Sequence, residues 1–401
     1  MNKKLIALLL SVAVSPAIIA DEFDDFKTQE QQAAASYKTT TEHEFAQYKQ
    51  ELDDGFNDFQ KTYAQESKKY SQKITQQWGD YKESTPETWV DYSKDESIRQ
   101  SVNFKTGEIE IEVLVDKNTS TQKALAKAKA SVSSLLATTE KQAFENNVVA
   151  QKVEAALKKH PTVVKTAVPS ATEKVMQPLV KKLQSADDMM IEQLSQTMTD
   201  SAAVNVRSVN NKKVLKLSFK IPAKLSDKAG RYSDRVLEIA RKENVPVALV
   251  YAVMETESNF NPRAKSHVPA YGLMQIVPRS AGKDATQYLF GKAKVLAPSY
   301  LYNGDKNIAI GGAYLHILYH RYLRKIEDRT SRLFCAIAAY NTGSGNVAKS
   351  FIGSYNINKA VVEINKLSPR EVYKHLRKHL PHDETKDYVK RVATRMAKYQ
   401  P

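Results

Sequence analysis

Residues 244–262 read Asn-Val-Pro-Val-Ala-Leu-Val-Tyr-Ala-Val-Met-Glu-Thr-Glu-Ser-Asn-Phe-Asn-Pro. Pro246 is tolerated in the first turn of a helix, and Asn244 is placed to cap it. Val250, Val253, Met254 and Glu257 then follow at i, i+3, i+4 and i+7, so an acid ends an apolar stripe. Asn261-Pro262 stops the helix just beyond it. Burial penalises an ionised carboxylate, so Glu257 is expected to hold its proton near neutrality, as a general acid must. Glu255 lies roughly 200° away around the helix and reads as a solvated or salt-bridged side chain. Standing alone, Glu257 is equally well explained as a partly buried acid tied to a backbone amide. The neighbouring Ser258, Phe260, Asn261 and Pro262 favour chemistry.

Further along the chain come Ser266, then Gly272-Leu273-Met274-Gln275, Asn307-Ile308 with Gly311 and Tyr314-Leu315, Ala339-Tyr340-Asn341-Thr342-Gly343, and Glu384-Thr385 with Tyr388-Val389. In order and spacing these blocks resemble the lytic transglycosylase relatives of goose-type lysozyme. The resemblance implies an all-α lysozyme-like domain over 224–401 with Glu257 as the catalytic acid. It further implies that Met274 packs on a sugar and Gln275 hydrogen-bonds it. By the same resemblance Ser266, Tyr340 and Asn341 lie near the reacting ring, and Tyr388 borders the acid. On residue chemistry alone, Asn341 equally reads as a turn former before Gly343, and Gln275 as a partner for buried backbone. The Asn307–Leu315 block reads as packing, with glycine letting helices approach.

Glycosidases usually employ two carboxylates. After Glu257 the next acids are Asp284 and Asp305, and spacing gives neither the role of partner. A lone acid can rely on the substrate's 2-acetamido group. The resemblance then implies cleavage between N-acetylmuramic acid and N-acetylglucosamine of peptidoglycan strands, with closure to a 1,6-anhydro sugar. A hydrolytic muramidase and a non-catalytic wall-binding protein are the alternatives. No cofactor and no metal is expected. His316/His320 and His375/His379 have i, i+4 spacing, but no Glu follows either first histidine as in zinc proteases, and there is no cysteine cluster. Cys335, the one cysteine, lies in an apolar run and reads as core. Gly343-Ser344-Gly345 is too short to cradle a phosphate.

Upstream the pattern changes. Residues 101–104 and 108–113 alternate about a Lys105-Thr106-Gly107 turn, and 204–207 and 214–219 form a second alternating pair through Asn210-Asn211. Helix-patterned residues 120–200 lie between them. The expectation over 83–223 is therefore an α+β domain whose two hairpins share one antiparallel sheet. It resembles the N-terminal domain of a membrane-bound branch of the same family, notably in Trp78-Gly79 and in Asn103-Phe104…Thr106-Gly107. Residues 21–82 read as a long helical extension with an aromatic stripe (Phe45, Tyr48, Phe56, Phe59, Tyr63, Tyr70, Trp78, Tyr81) and no clear counterpart in the family. The stripe is a packing seam, either against the body or as a surface for self-association or envelope association.

Residues 1–20 read as a secretory signal: Lys3-Lys4, the apolar run Leu5–Val14, then Ala17–Ala20 before Asp21. An exported, periplasmic protein is expected. No cysteine adjoins the signal, so lipid anchoring is not. Net charge is +15, and all of the excess is C-terminal: residues 1–223 hold 30 basic and 30 acidic residues, 224–401 hold 30 and 15. A basic domain attracts anionic polymers. With an export signal and no recognition motif, nucleic acid is the weaker candidate and the acidic cell wall the stronger.

Overall fold

Glu108–Asp116 alternates apolar and charged residues, so as a strand it must bury one face and pair the other. It is the centre of a five-stranded antiparallel sheet in the computed structural model, which describes residues 16–164 and 168–400, with side chains from residue 27. The elements in chain order are α1 (Pro16–Trp78), β1 (Thr88–Tyr92), β2 (Ile98–Asn103), β3 (Glu108–Asp116), α2 (Thr121–Ala137), α3 (Glu140–Asn146), α4 (Val148–Leu157), β4 (Val163–Val164), α5 (Asp188–Thr199), β5 (Ala203–Val209) and β6 (Lys212–Lys220). The sheet order is β1-β2-β3-β6-β5, so both expected hairpins pair through β3 and β6. The signal expected over 1–20 lies outside the described residues through residue 15. Among the described residues no helix is long and apolar enough to cross a membrane.

Ile109, Ile111 and Val113 of β3 bury completely against Ala128, Val132 and Leu135 of α2 and Ile191 and Met198 of α5. The opposite face of the sheet is closed by the end of α1, where Ile74 and Trp78 pack with Tyr92, Leu114 and Val214. Trp78 Nε1 donates to the Glu96 carbonyl at 2.9 Å, which satisfies its one polar group. Beside it the fully buried Arg99 donates to Glu112 and Asp80, each at 2.7 Å.

The chain divides into two units, Met1–Asp53 and Asp54–Pro401. In the first, residues 27–46 are solvent-exposed, Tyr37 and Phe45 included. In the second, the aromatic stripe is core rather than a free arm. Phe56 and Phe59 are buried, and Phe59 meets Tyr271 edge-on at 5.9 Å, while Tyr70 and Tyr81 surround Tyr92. From residue 54, α1 therefore touches both the sheet and the C-terminal part of the chain.

Those helices are α6 (Ser233–Lys242), α7 (Val247–Ser258), α8 (Lys283–Phe290), α9 (Pro298–Leu301), α10 (Gly304–His316), α11 (Arg329–Thr342), α12 (Ser344–Ile352), α13 (Ile357–Ile364), α14 (Pro369–His379) and α15 (Asp383–Lys398). The two-residue β7 (Val295–Leu296) runs parallel to β4 and stitches this domain to the first. At the centre is α7, packed by α6 and α15. It is buried all round from Ala248 to Met254, not along one stripe, so the helix is central rather than amphipathic. Asn244 does not cap it. Asn244 takes a left-handed φ of 50° after α6, and Pro246 stands at the cap of α7 with no side-chain hydrogen bond. The Pro246 carbonyl accepts from the Leu249 and Val250 N–H groups at 3.0 and 3.3 Å, so backbone rather than a side chain closes the first turn.

The histidine pairs serve the fold. His316 Nδ1 and His320 Nε2 lie 2.8 Å from the Glu243 and Asn244 carbonyls that end α6, and His375 Nε2 lies 2.8 Å from the Ser350 carbonyl. Cys335 is fully buried in α11, and that burial pushes its thiol well above the usual range.

Candidate active site

Glu257 occupies the last turn of α7, where the helix dipole disfavours negative charge. The chain then turns sharply: Asn259 and Phe260 both take left-handed φ, 51° and 63°. Such strain persists only where the surroundings enforce it. Here Asn261 is fully buried, and its Nδ2 donates to the Pro86 carbonyl at 3.2 Å while its Oδ1 accepts from the Arg263 N–H at 2.9 Å. Ser258 donates to the Leu273 carbonyl at 2.8 Å and so joins the helix end to the 272–275 loop.

That loop is held from behind by one side chain. The fully buried Asn307 accepts from the Met274 N–H and donates to the Tyr271 and Leu301 carbonyls, all at 2.8 Å. Gly272 has φ +73°, and a Cβ there would stand 2.6 Å from the Leu301 carbonyl, so only glycine fits.

In front of this frame is a groove of about 720 Å³. Glu257, Ser266, Gln275, Tyr340 and Asn341 all line it. Tyr388 sits one step behind, 2 % exposed, and donates to Glu257 Oε1 at 2.7 Å. Asn341 belongs to α11 rather than to a turn, and its Oδ1 accepts from Thr385 at 2.7 Å. Tyr340 donates to the Met274 carbonyl at 2.8 Å. Gln275 takes the second of the roles considered for it: its Nε2 donates to the Gly272 carbonyl at 3.0 Å, while its Oε1 is buried without a hydrogen-bond partner. Ser266 closes its own loop, donating to the Val268 carbonyl and accepting from the Ala270 N–H.

Met274 departs from expectation. Its side chain is wholly buried against Gly311, away from the groove, because the missing Cβ of that glycine leaves a socket which the methionine fills. It supports the floor and is not among the side chains that line the groove.

Three groups in the groove carry no role that the sequence reveals. Glu384, exposed at the first turn of α15, places a second carboxylate in it, although spacing indicates none. It lies one helical turn before Tyr388, which is the legible signal. Lys265 pairs with Glu83 at 2.8 Å. Ser84, Thr85 and Pro86 of the α+β domain form part of the wall; no local pattern marks a contact made from so far away in the chain.

Burial pushes the Glu257 carboxyl up to about 7. The Tyr388 hydrogen bond and the Arg391 charge pull it down, and the Glu384 charge pushes it up. Tyr388 itself, raised well above its usual range by burial and by Glu257, remains a neutral donor. With Oε1 held by that phenol, Oε2 is the oxygen free to carry a proton. Tyr388→Phe removes an interaction that favours the ionised form. The expected result is an upward displacement of the alkaline limb of the pH–rate profile, measured from pH 5 to 9.

Residues 234–362 match the family model described as transglycosylase SLT domain, so this part of the chain is a domain of that type. Residues 56–216 match the model described as membrane-bound lytic murein transglycosylase C, N-terminal domain, so the N-terminal part is a domain of that type. This match begins within α1, so about the last third of that helix, from residue 56, does have a counterpart in the family, contrary to expectation. Among curated proteins, membrane-bound lytic murein transglycosylase C of Cronobacter sakazakii is 41% identical over 180 residues, 45% of this chain and 49% of that protein. The Klebsiella pneumoniae protein of the same name is 39% identical over 180 residues, with the same coverage. The chain thus spans about half the length of the curated relatives it matches. Among solved structures, the 70 kDa soluble lytic transglycosylase of Escherichia coli is 18% identical and aligns over 69% of this chain and 43% of that one, with a TM-score of 0.33.

Proposed function

We propose that this protein is an exported lytic transglycosylase of the cell envelope, acting on peptidoglycan strands. The observation that carries this reading is Glu257: a carboxyl pushed to about 7 in a groove, with one oxygen pinned by Tyr388. Protonated, it gives its hydrogen to the oxygen that links N-acetylmuramic acid to N-acetylglucosamine. The muramoyl 2-acetamido carbonyl steadies the positive charge that develops at C1. Now ionised, Glu257 takes the proton of the C6 hydroxyl, whose oxygen bonds to C1. The product is a 1,6-anhydro sugar and no water enters. Gln275 and Asn341, which line the groove, orient the ring, and the charge of Glu384 favours both the protonated acid and the cationic centre.

Glu384 also favours a second reading, hydrolysis by a muramidase with two acids. The product decides between them. Purified protein on sacculi is expected to release fragments one water lighter than hydrolytic ones, by mass spectrometry, and Glu384→Gln is expected to keep releasing them. Fragments carrying a full water, lost in Glu384→Gln, would establish the muramidase instead.

A further inference from the structure

The helix α15 reaches the groove at two points on one face. Tyr388 holds Glu257, and Thr385, one turn earlier, meets Asn341 of α11. At its far end α15 is fixed to α7, the helix that carries Glu257. There Arg395 Nη1 donates to Thr256 Oγ1 at 2.8 Å, and Tyr399 donates to Glu255 at 2.7 Å. The helix is thus a firm mount. Its hold on Glu257 is explained by the chemistry above; its hold on Asn341 is not.

Thr385 is 1 % exposed, and its hydroxyl carries one hydrogen. Among the described residues its side chain makes a single hydrogen bond, to Asn341 Oδ1 at 2.7 Å. A buried hydroxyl keeps its proton on an acceptor. That proton therefore selects the oxygen of the Asn341 amide and not its nitrogen. With Oδ1 turned to Thr385, the donor Nδ2 is the end left for the groove that Asn341 lines. Among the described residues Nδ2 has no partner. Packing alone would be served as well by valine, which has the same shape without the hydroxyl.

We propose that Thr385 is a positioning residue. It locks the Asn341 amide so that Nδ2 donates to an acceptor oxygen of the bound sugar, an acetamido carbonyl or a hydroxyl. The inference deepens the peptidoglycan reading above and rests on it. An unrestrained amide presents either end, and fixing it beforehand spares the complex the cost of ordering it. A donor already aimed at its oxygen also needs no reorganisation as the bond breaks.

A double-mutant cycle on soluble glycan strands, read as kcat/KM for anhydro-product release, tests this. Thr385→Val is expected to lower the value roughly five- to tenfold, the size of one neutral hydrogen bond. Thr385→Ser should recover most of that loss. In the Asn341→Ala background, Thr385→Val should cost about twofold or less, because no amide remains to be oriented. Asn341→Asp carries the test if melting shows that Thr385→Val does not fold. Its carboxylate still accepts from Thr385 but has no N–H for the groove. At the optimum of its own pH profile it should be as slow as Asn341→Ala. The proposal is overturned if Thr385→Val works at the wild-type rate, or costs the same factor with and without Asn341. It is equally overturned if Thr385→Ser is as slow as Thr385→Val, or if Asn341→Asp keeps the wild-type rate. Failure of the underlying reading looks different: the wild type itself then releases no anhydro product.

Discussion

Glu257→Gln is expected to lower the rate of anhydro-sugar release by roughly a hundredfold or more, the contribution typical of a positioned general acid. The amide matches the carboxyl in shape and can still accept from Tyr388, so the fold should survive. Its stability should even respond in a diagnostic way. Folded, the Glu257 carboxyl titrates at about 7; unfolded, it returns to about 4.3. Between those values the folded chain binds the extra proton, so wild-type stability falls as pH rises through the window. The glutamine variant has no such dependence. It should therefore unfold at a higher temperature than wild type at pH 8, with the difference vanishing at pH 4, by calorimetry. Full activity in the variant would falsify the assignment of Glu257. Equal stability of the two proteins at pH 8 would show that the carboxyl is not shielded from water.

Asn307→Ala should produce the largest loss of stability. The substitution leaves the Met274 N–H and the Leu301 carbonyl buried without a partner, and leaves the Tyr271 carbonyl only the Ile276 N–H. At ~1–3 kcal/mol for each orphaned group, about 3 kcal/mol or more is at stake. For a domain of this size that is a fall in Tm of roughly 6–12 °C. Activity should fall with it, because the same loop presents Gln275 to the groove and receives the Tyr340 hydroxyl. A Tm within about 2 °C of wild type would mean that water or a shifted side chain replaces Asn307. The residue would then be packing, as its sequence block suggests.

Local regularities make much of this readable. The alternation at 108–113 places a strand because a pleated backbone puts successive side chains on opposite faces. The close approach at Gly311 reads as packing, since a missing Cβ has few other uses. Other features resist for an equally physical reason. Met274 reads as a groove residue because its block lies beside the acid in sequence. Its direction, however, is set by the socket at Gly311, 37 positions further on. Glu384 belongs to a recognisable block yet takes no role from it, since carboxylates 127 residues apart cannot be paired by spacing. The seam along α1 announces that something covers it, but an aromatic face does not name its partner.

The sequence by itself determined that an acid ends an apolar helix and that polar blocks follow it in a fixed order, which is a property of neighbours along one chain. It also determined the two hairpins and the helical character of the second domain, because periodicity is local. Only the tertiary structure decided how Glu257 comes to lie half-buried in the wall of a groove, which phenol holds it, and which backbone closes that wall. Burial, and with it the carboxyl's hold on its proton, comes from the distant segments that crowd it. No short window of residues contains that information.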